Sequence, residues 1–133
     1  MNYKILILVF LCFLSVQKIF AETQIELNQK ECDKWQLLDK DLNQSYQKVL
    51  AYYKDDKRFI NKFIKAQRKW LEFRDTYLES IYPDDSGIAY GSIYPMCRCI
   101  HLQKLTADRL KQIEVWLTGF EEGDACQGSV KPV

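Results

Sequence analysis

The sequence predicts an all-α fold: a three-helix antiparallel bundle with a long loop between the second and third helices, cross-linked by disulfides. Three observations predict it. Apolar residues recur at spacings of three and four through three separate segments, as they do on helices with one buried face. Sequence that breaks this period with Gly, Pro, Ser and Asp is concentrated in residues 83–95 and near the C-terminus. No segment alternates with the period of two expected of a strand.

The first helix begins after Thr23-Gln24-Ile25-Glu26, which matches a capping box. Trp35, Leu38, Leu42, Tyr46, Val49 and Tyr53 then form one stripe, which ends around Lys54-Asp55-Asp56-Lys57. Asp55 or Asp56 caps the second helix, whose stripe is Phe59/Ile60, Phe63, Trp70 and Tyr77 and which stops before Tyr82-Pro83. Residues 83–95 form the loop, with Tyr82, Tyr90 and Tyr94 expected to pack at least partly on the domain. The third helix runs from about Met96 to Thr118, with Leu102, Leu105, Arg109, Ile113 and Trp116 on one face, and Gly119 stops it. Residues 22–118 make one helical domain, and 119–133 a tail.

Residues 1–21 read as a secretory signal peptide. Lys4 supplies the positive start, Ile5 to Val16 an apolar run short for a bilayer span, and Ala21 a small residue at a cleavage point. An uncleaved membrane anchor is the alternative. Cleavage implies a periplasmic or secreted protein with no stable membrane insertion. Removing Lys4 and Lys18 from the 19 basic residues leaves 17 against 18 acidic ones, a net charge of −1. Such a balance argues against a nucleic-acid partner.

Gln67 and Arg74 lie on the same stripe as Phe63, Trp70 and Tyr77, and polar groups there require partners. The short link at 54–57 makes the first two helices antiparallel, so facing residues have numbers summing to roughly 113. On that ruler Asp39 faces Arg74, Asn43 faces Trp70, and Tyr46 faces Gln67. If Cys32 bonds to Cys97 or Cys99, Thr106 and Arg109 fall near the level of Asp39 to Asn43. Asp39, Asn43, Tyr46, Gln67, Arg74, Thr106 and Arg109 are therefore expected to form a structural polar core. A catalytic reading is weaker, because an arginine holds a neighbouring Asp ionised, whereas acid–base work needs a group poised near the working pH. No nucleophile–His–acid set, phosphate-cradling glycine motif or metal-ligand cluster is present, so neither a cofactor nor an enzymatic activity is expected.

Four cysteines follow the signal segment: Cys32, Cys97, Cys99 and Cys126. An even number in an exported chain points to disulfides. Zinc would want wider spacing than Cys97-Arg98-Cys99 and more ligands than the single His101 supplies.

Taken in order, Glu26-Leu27-Asn28, Cys32, Asp39-x-x-Leu42-Asn43-x-x-Tyr46, Ala66-Gln67-Arg68-x-Trp70-x-x-Phe73-Arg74-Asp75, Gly91-Ser92 and Leu105-Thr106-x-x-Arg109 resemble the N-terminal-domain family of the lysozyme inhibitor LprI. The likeness covers about Thr23 to Ile113. Members commonly carry a Cys just after the Arg-Asp pair, where this chain has Thr76-Tyr77-Leu78, so the resemblance implies a rewired bridge. The favoured scheme is Cys32–Cys99 with Cys97–Cys126, which pins the tail; the alternative exchanges Cys97 and Cys99. The resemblance further implies an exported, non-enzymatic domain that binds a protein partner, with a lysozyme as the namesake target. The alternative function is a periplasmic envelope interaction or stress module with another protein partner. The expected binding surface is the loop with Tyr82, Tyr90 and Tyr94 as aromatic anchors. Glu121, Glu122 and Asp124 are expected to steer a basic partner toward it.

Overall fold

A computed structural model describes residues 23–120, 123 and 125–132. The expected signal segment and Glu121, Glu122 and Asp124 lie outside the described residues. Three long helices carry the fold: α1 (Gln24–Tyr52), α2 (Lys57–Ile81) and α3 (Tyr94–Thr118). Short 3₁₀ turns follow at Ile88–Tyr90 and Ala125–Gln127. Among the described residues there is no strand, and no helix is long and apolar enough to cross a membrane.

The helix ends obey local chemistry. Thr23 Oγ1 accepts from the Glu26 amide at 3.2 Å while the Thr23 amide donates to Glu26 Oε2 at 2.7 Å, closing the capping box. Asp56 caps α2 by accepting from the Phe59 amide at 2.9 Å. α3 starts two residues earlier than the sequence suggests, because Pro95 sits in its first turn, where the missing N–H has no helical partner to lose. Gly119 ends it with φ 72°, a left-handed conformation that glycine adopts without strain.

The closest backbone packing joins α1 and α3, which run parallel. Cys32 and Cys99 lock that pair with Cα atoms 5.0 Å apart. α2 returns antiparallel and reaches the other two mainly through large side chains. Leu42, Val49, Tyr53, Phe59, Phe63 and Ile113 make the buried core, with Trp116 and Tyr46 packed against it. Tyr77 leaves the stripe assigned to it: it is 41% exposed, and Leu78 is buried in its place. Over six turns a period of 3.6 drifts past one spaced three and four, which carries the core line from Phe63 through Gln67 and Arg74 to Leu78.

The tail is held without the expected Cys97–Cys126 bridge. Cys97 keeps its thiol at the start of α3. The tail instead crosses the opposite end of the bundle, about 30 Å along α3 from Cys97. There Val130 is buried, the Lys131 amide donates to the Tyr53 hydroxyl at 3.0 Å, and Lys131 Nζ lies over the Tyr52 and Tyr53 rings at 4.2 and 4.5 Å. A short strap anchored at Tyr53 cannot retrace the helix to reach Cys97.

Candidate functional site at the loop end of the bundle

The segment between α2 and α3 is ordered by its own side chains. Asp84 organises it: its carboxylate accepts from the Ala89 amide at 3.1 Å, from the Ser86 hydroxyl at 2.8 and 2.9 Å, and from the Ser86 amide at 3.2 Å. These bonds, the Ala89 amide first, hold its pKa below the ordinary aspartate value. The Asp84 amide donates to the Tyr90 hydroxyl at 3.0 Å, and the Gly87 amide to the Asp84 carbonyl at 3.0 Å. Gly87 is buried with φ 68°, and a Cβ there would stand 2.7 Å from the Tyr94 ring. Only glycine fits this position, for conformation and for space. Asn28 Nδ2 donates to the Ser92 carbonyl at 2.9 Å and ties the loop to α1.

The three expected anchors come together, but with one another. Tyr82 meets Tyr90 and Tyr94 edge-on at 5.2 and 5.0 Å, Tyr90 and Tyr94 lie 5.5 Å apart, and His101 touches Tyr82 at 5.9 Å. All three tyrosines are half-buried, and burial raises the Tyr82 pKa. They form a base on which the turn rests. The side chain projecting from it is Ile88, 83% exposed; Ile93, at the start of α3, is 44% exposed. An isoleucine immediately after a turn glycine is the sequence signal for this tip.

The polar residues separate into two groups instead of one buried cluster. Arg109 Nε donates to Gln67 Oε1 at 2.9 Å and its Nη1 to Gln112 Oε1 at 3.0 Å, while desolvation lowers its pKa. Gln67 thus finds its partner on α3. Tyr46, expected to serve it, stacks on Phe63 at 5.4 Å. The antiparallel ruler failed at this height because α2 leans away from α1 and toward α3. At the rim, Asp39 accepts from Asn43 Nδ2 at 3.0 Å and meets Arg74 at 3.8 Å, while Arg74 pairs more closely with Asp75 at 2.8 Å. Asn43 and Asp75 are exposed, so this is a partly solvated network. Trp70 joins the groups, with the Arg74 and Arg109 guanidiniums 5.6 and 5.9 Å from its ring. Thr106 is fully buried and its hydroxyl has no partner among the described residues.

An open groove of about 640 Å³ runs along α1 from Trp35 to Lys48, past Asp39 and Asn43. Its ionisable side chains are Asp39, Lys40 and Lys48, which pair no nucleophile with a base. Among the described residues no group of three or more His, Cys, Asp or Glu side chains is placed to hold a metal ion. Acidic residues recur along one strip. Glu72, Asp75, Glu79, Asp84 and Asp85 follow one another down the second half of α2 and into the loop. The described tail residues Val130 and Lys131 sit at the other end, beside Tyr53.

Two of the three comparisons with known proteins find nothing: no curated protein and no solved structure matches the chain. A family model described as Lysozyme inhibitor LprI matches residues 17–113.

Proposed function

The chain belongs to the lysozyme inhibitor LprI family, and from that premise we propose that it is an exported, non-enzymatic protein that binds and inhibits a lysozyme through the loop between α2 and α3. The observation that carries this reading is the preformed loop. A turn fixed by Asp84, seated on three tyrosines and tipped by Ile88, presents an apolar side chain without having to order itself on binding. Preorganisation of this kind reduces the entropic cost of association. An isolated isoleucine suits insertion into a partner's cleft, with the exposed edges of Tyr82, Tyr90 and Tyr94 and the side chain of Ile93 filling the contact around it.

The acids of α2 and the loop support the choice of partner. Glu79, Asp84 and Asp85 lie at the same end of the bundle as Ile88 and add negative charge there, which favours a basic protein and speeds its encounter. The Cys32–Cys99 bridge agrees with an oxidising compartment, and residues 1–21 supply the export signal. The test is a lysis assay with purified mature protein and several lysozymes. Inhibition at or below micromolar protein supports the reading, and undiminished lysis by every lysozyme at micromolar excess removes it.

A further inference from the structure

Charges along α2 run against the helix's own dipole. Lys57, Arg58, Lys62, Lys65, Arg68 and Lys69 fill its first half with no acid among them. Glu72, Asp75 and Glu79 follow, with Arg74 the only base. The first turn holds no acid and the last turn no base, whereas the reverse order would stabilise an isolated helix. Where the halves meet, Phe73 is 52% exposed and stacks on Tyr77 at 5.7 Å. Phe73 flanks the core stripe, yet it carries a large apolar ring in the middle of a charged surface.

We propose that a second copy of this chain covers that face, with two α2 helices pairing antiparallel about a two-fold axis near Phe73. Antiparallel pairing lays Lys65, Arg68 and Lys69 of each helix beside the acidic end of the other, whereas parallel pairing would set like charges together. Facing residues then have numbers summing to about 146 by the common rise per residue. Phe73 meets its own copy, Lys69 lies opposite the Tyr77 ring, and Lys65 reaches Glu79. One patch serves both partners, so the contact closes as a dimer. The two helices overlap from Lys65 to Ile81, about 24 Å. A single helix pair lies at the small end of stable interfaces, so the dimer depends on concentration and salt. The two loops lie at opposite ends of the pair.

Sedimentation of the mature chain tests this, with circular dichroism to check that each variant is folded. The wild type shifts from monomer to dimer between micromolar and near-millimolar protein, and returns toward monomer at about 0.5 M salt, where screening is short-ranged. The triple variant Lys62→Glu, Lys65→Glu, Lys69→Glu and the double variant Glu72→Lys, Glu79→Lys each self-associate at least about tenfold more weakly. Mixed together they restore a one-to-one dimer, since positions 65 and 79 then carry opposite charges in both halves of the contact. Phe73→Ser, at an exposed position, also remains monomeric. A wild type monomeric at every concentration overturns the proposal, as does a mixture of the two charge variants that stays monomeric. Lysis assays on Phe73→Ser read the loop separately, because this monomeric variant changes neither the loop nor the acids beside it and retains full inhibition per chain.

Discussion

Replacing Gly87 with alanine separates the order of the loop from the stability of the helices. Two costs arise. Gly87 has φ 68°, and a left-handed conformation costs an L-residue with a Cβ about 1–2 kcal/mol. The new methyl would also lie 2.7 Å from Tyr94 Cδ1 and Cε1, so the ring has to retreat from its contacts with Tyr82 and Tyr90. Each such aromatic pair contributes about 0.5–1.5 kcal/mol. Together these effects amount to about 2–4 kcal/mol, concentrated in residues 84–94. The Leu42, Val49 and Ile113 core is remote from them, and small domains hold about 5–15 kcal/mol in all. Gly87→Ala therefore stays folded but loses amide protection at Gly87 and Tyr90, together with lysozyme inhibition. Hydrogen exchange read residue by residue, beside a lysis assay, measures both. Unchanged protection in the loop would refute the steric reasoning, and a disordered loop with full inhibition would refute its assignment as the binding element.

Other perturbations give equally definite outcomes. Thr106→Val removes a buried hydroxyl that has no partner among the described residues and keeps the shape, so it should raise stability by about 1 kcal/mol in urea unfolding; a loss of that size would mean the hydroxyl has a partner in solution. Replacing Cys32 and Cys99 by serine opens a cross-link of sequence separation 67, and chain entropy sets the loss at about 4 kcal/mol; peptide mapping without reduction should find that bridge and no Cys97–Cys126 bridge. Asp84 has a folded pKa below its unfolded value. Its contribution to loop order is therefore complete above the ordinary aspartate range and is lost as pH falls through the lowered folded value. Exchange protection at Ala89 measured down an acid series tests this sign, and a loss already complete near neutral pH contradicts it.

Helix existence and capping were legible because they are local. The capping box at Thr23, the Asp56 cap, the stop before Pro83 and the Gly119 terminus each depend on residues within one turn. Phe63, Leu42 and Ile113 announced themselves as core by spacing alone. Tyr77 did not follow, because spacing of three and four hides the slow drift of a helix with 3.6 residues per turn. The polar partners were harder. Asp39 and Arg74 meet as a simple antiparallel ruler requires, but Gln67 turned to Arg109 because α1 packs against α3 more closely than against α2, which no pairwise ruler contains. The tail's path depended on Tyr53, a residue nearly eighty positions from Lys131. At the loop, sequence identified the aromatic cluster but not its direction: three tyrosines satisfied one another, which left Ile88 as the exposed tip.

The most direct test is a lysis assay comparing the wild type with Ile88→Asp, a substitution at an 83% exposed position that should leave the melting temperature unchanged. The account predicts that the wild type protects the substrate cells at near-stoichiometric protein and that Ile88→Asp loses this protection by a factor of about one hundred or more, as expected for a central anchor. Equal inhibition by both proteins, or none by either against any lysozyme, would contradict it.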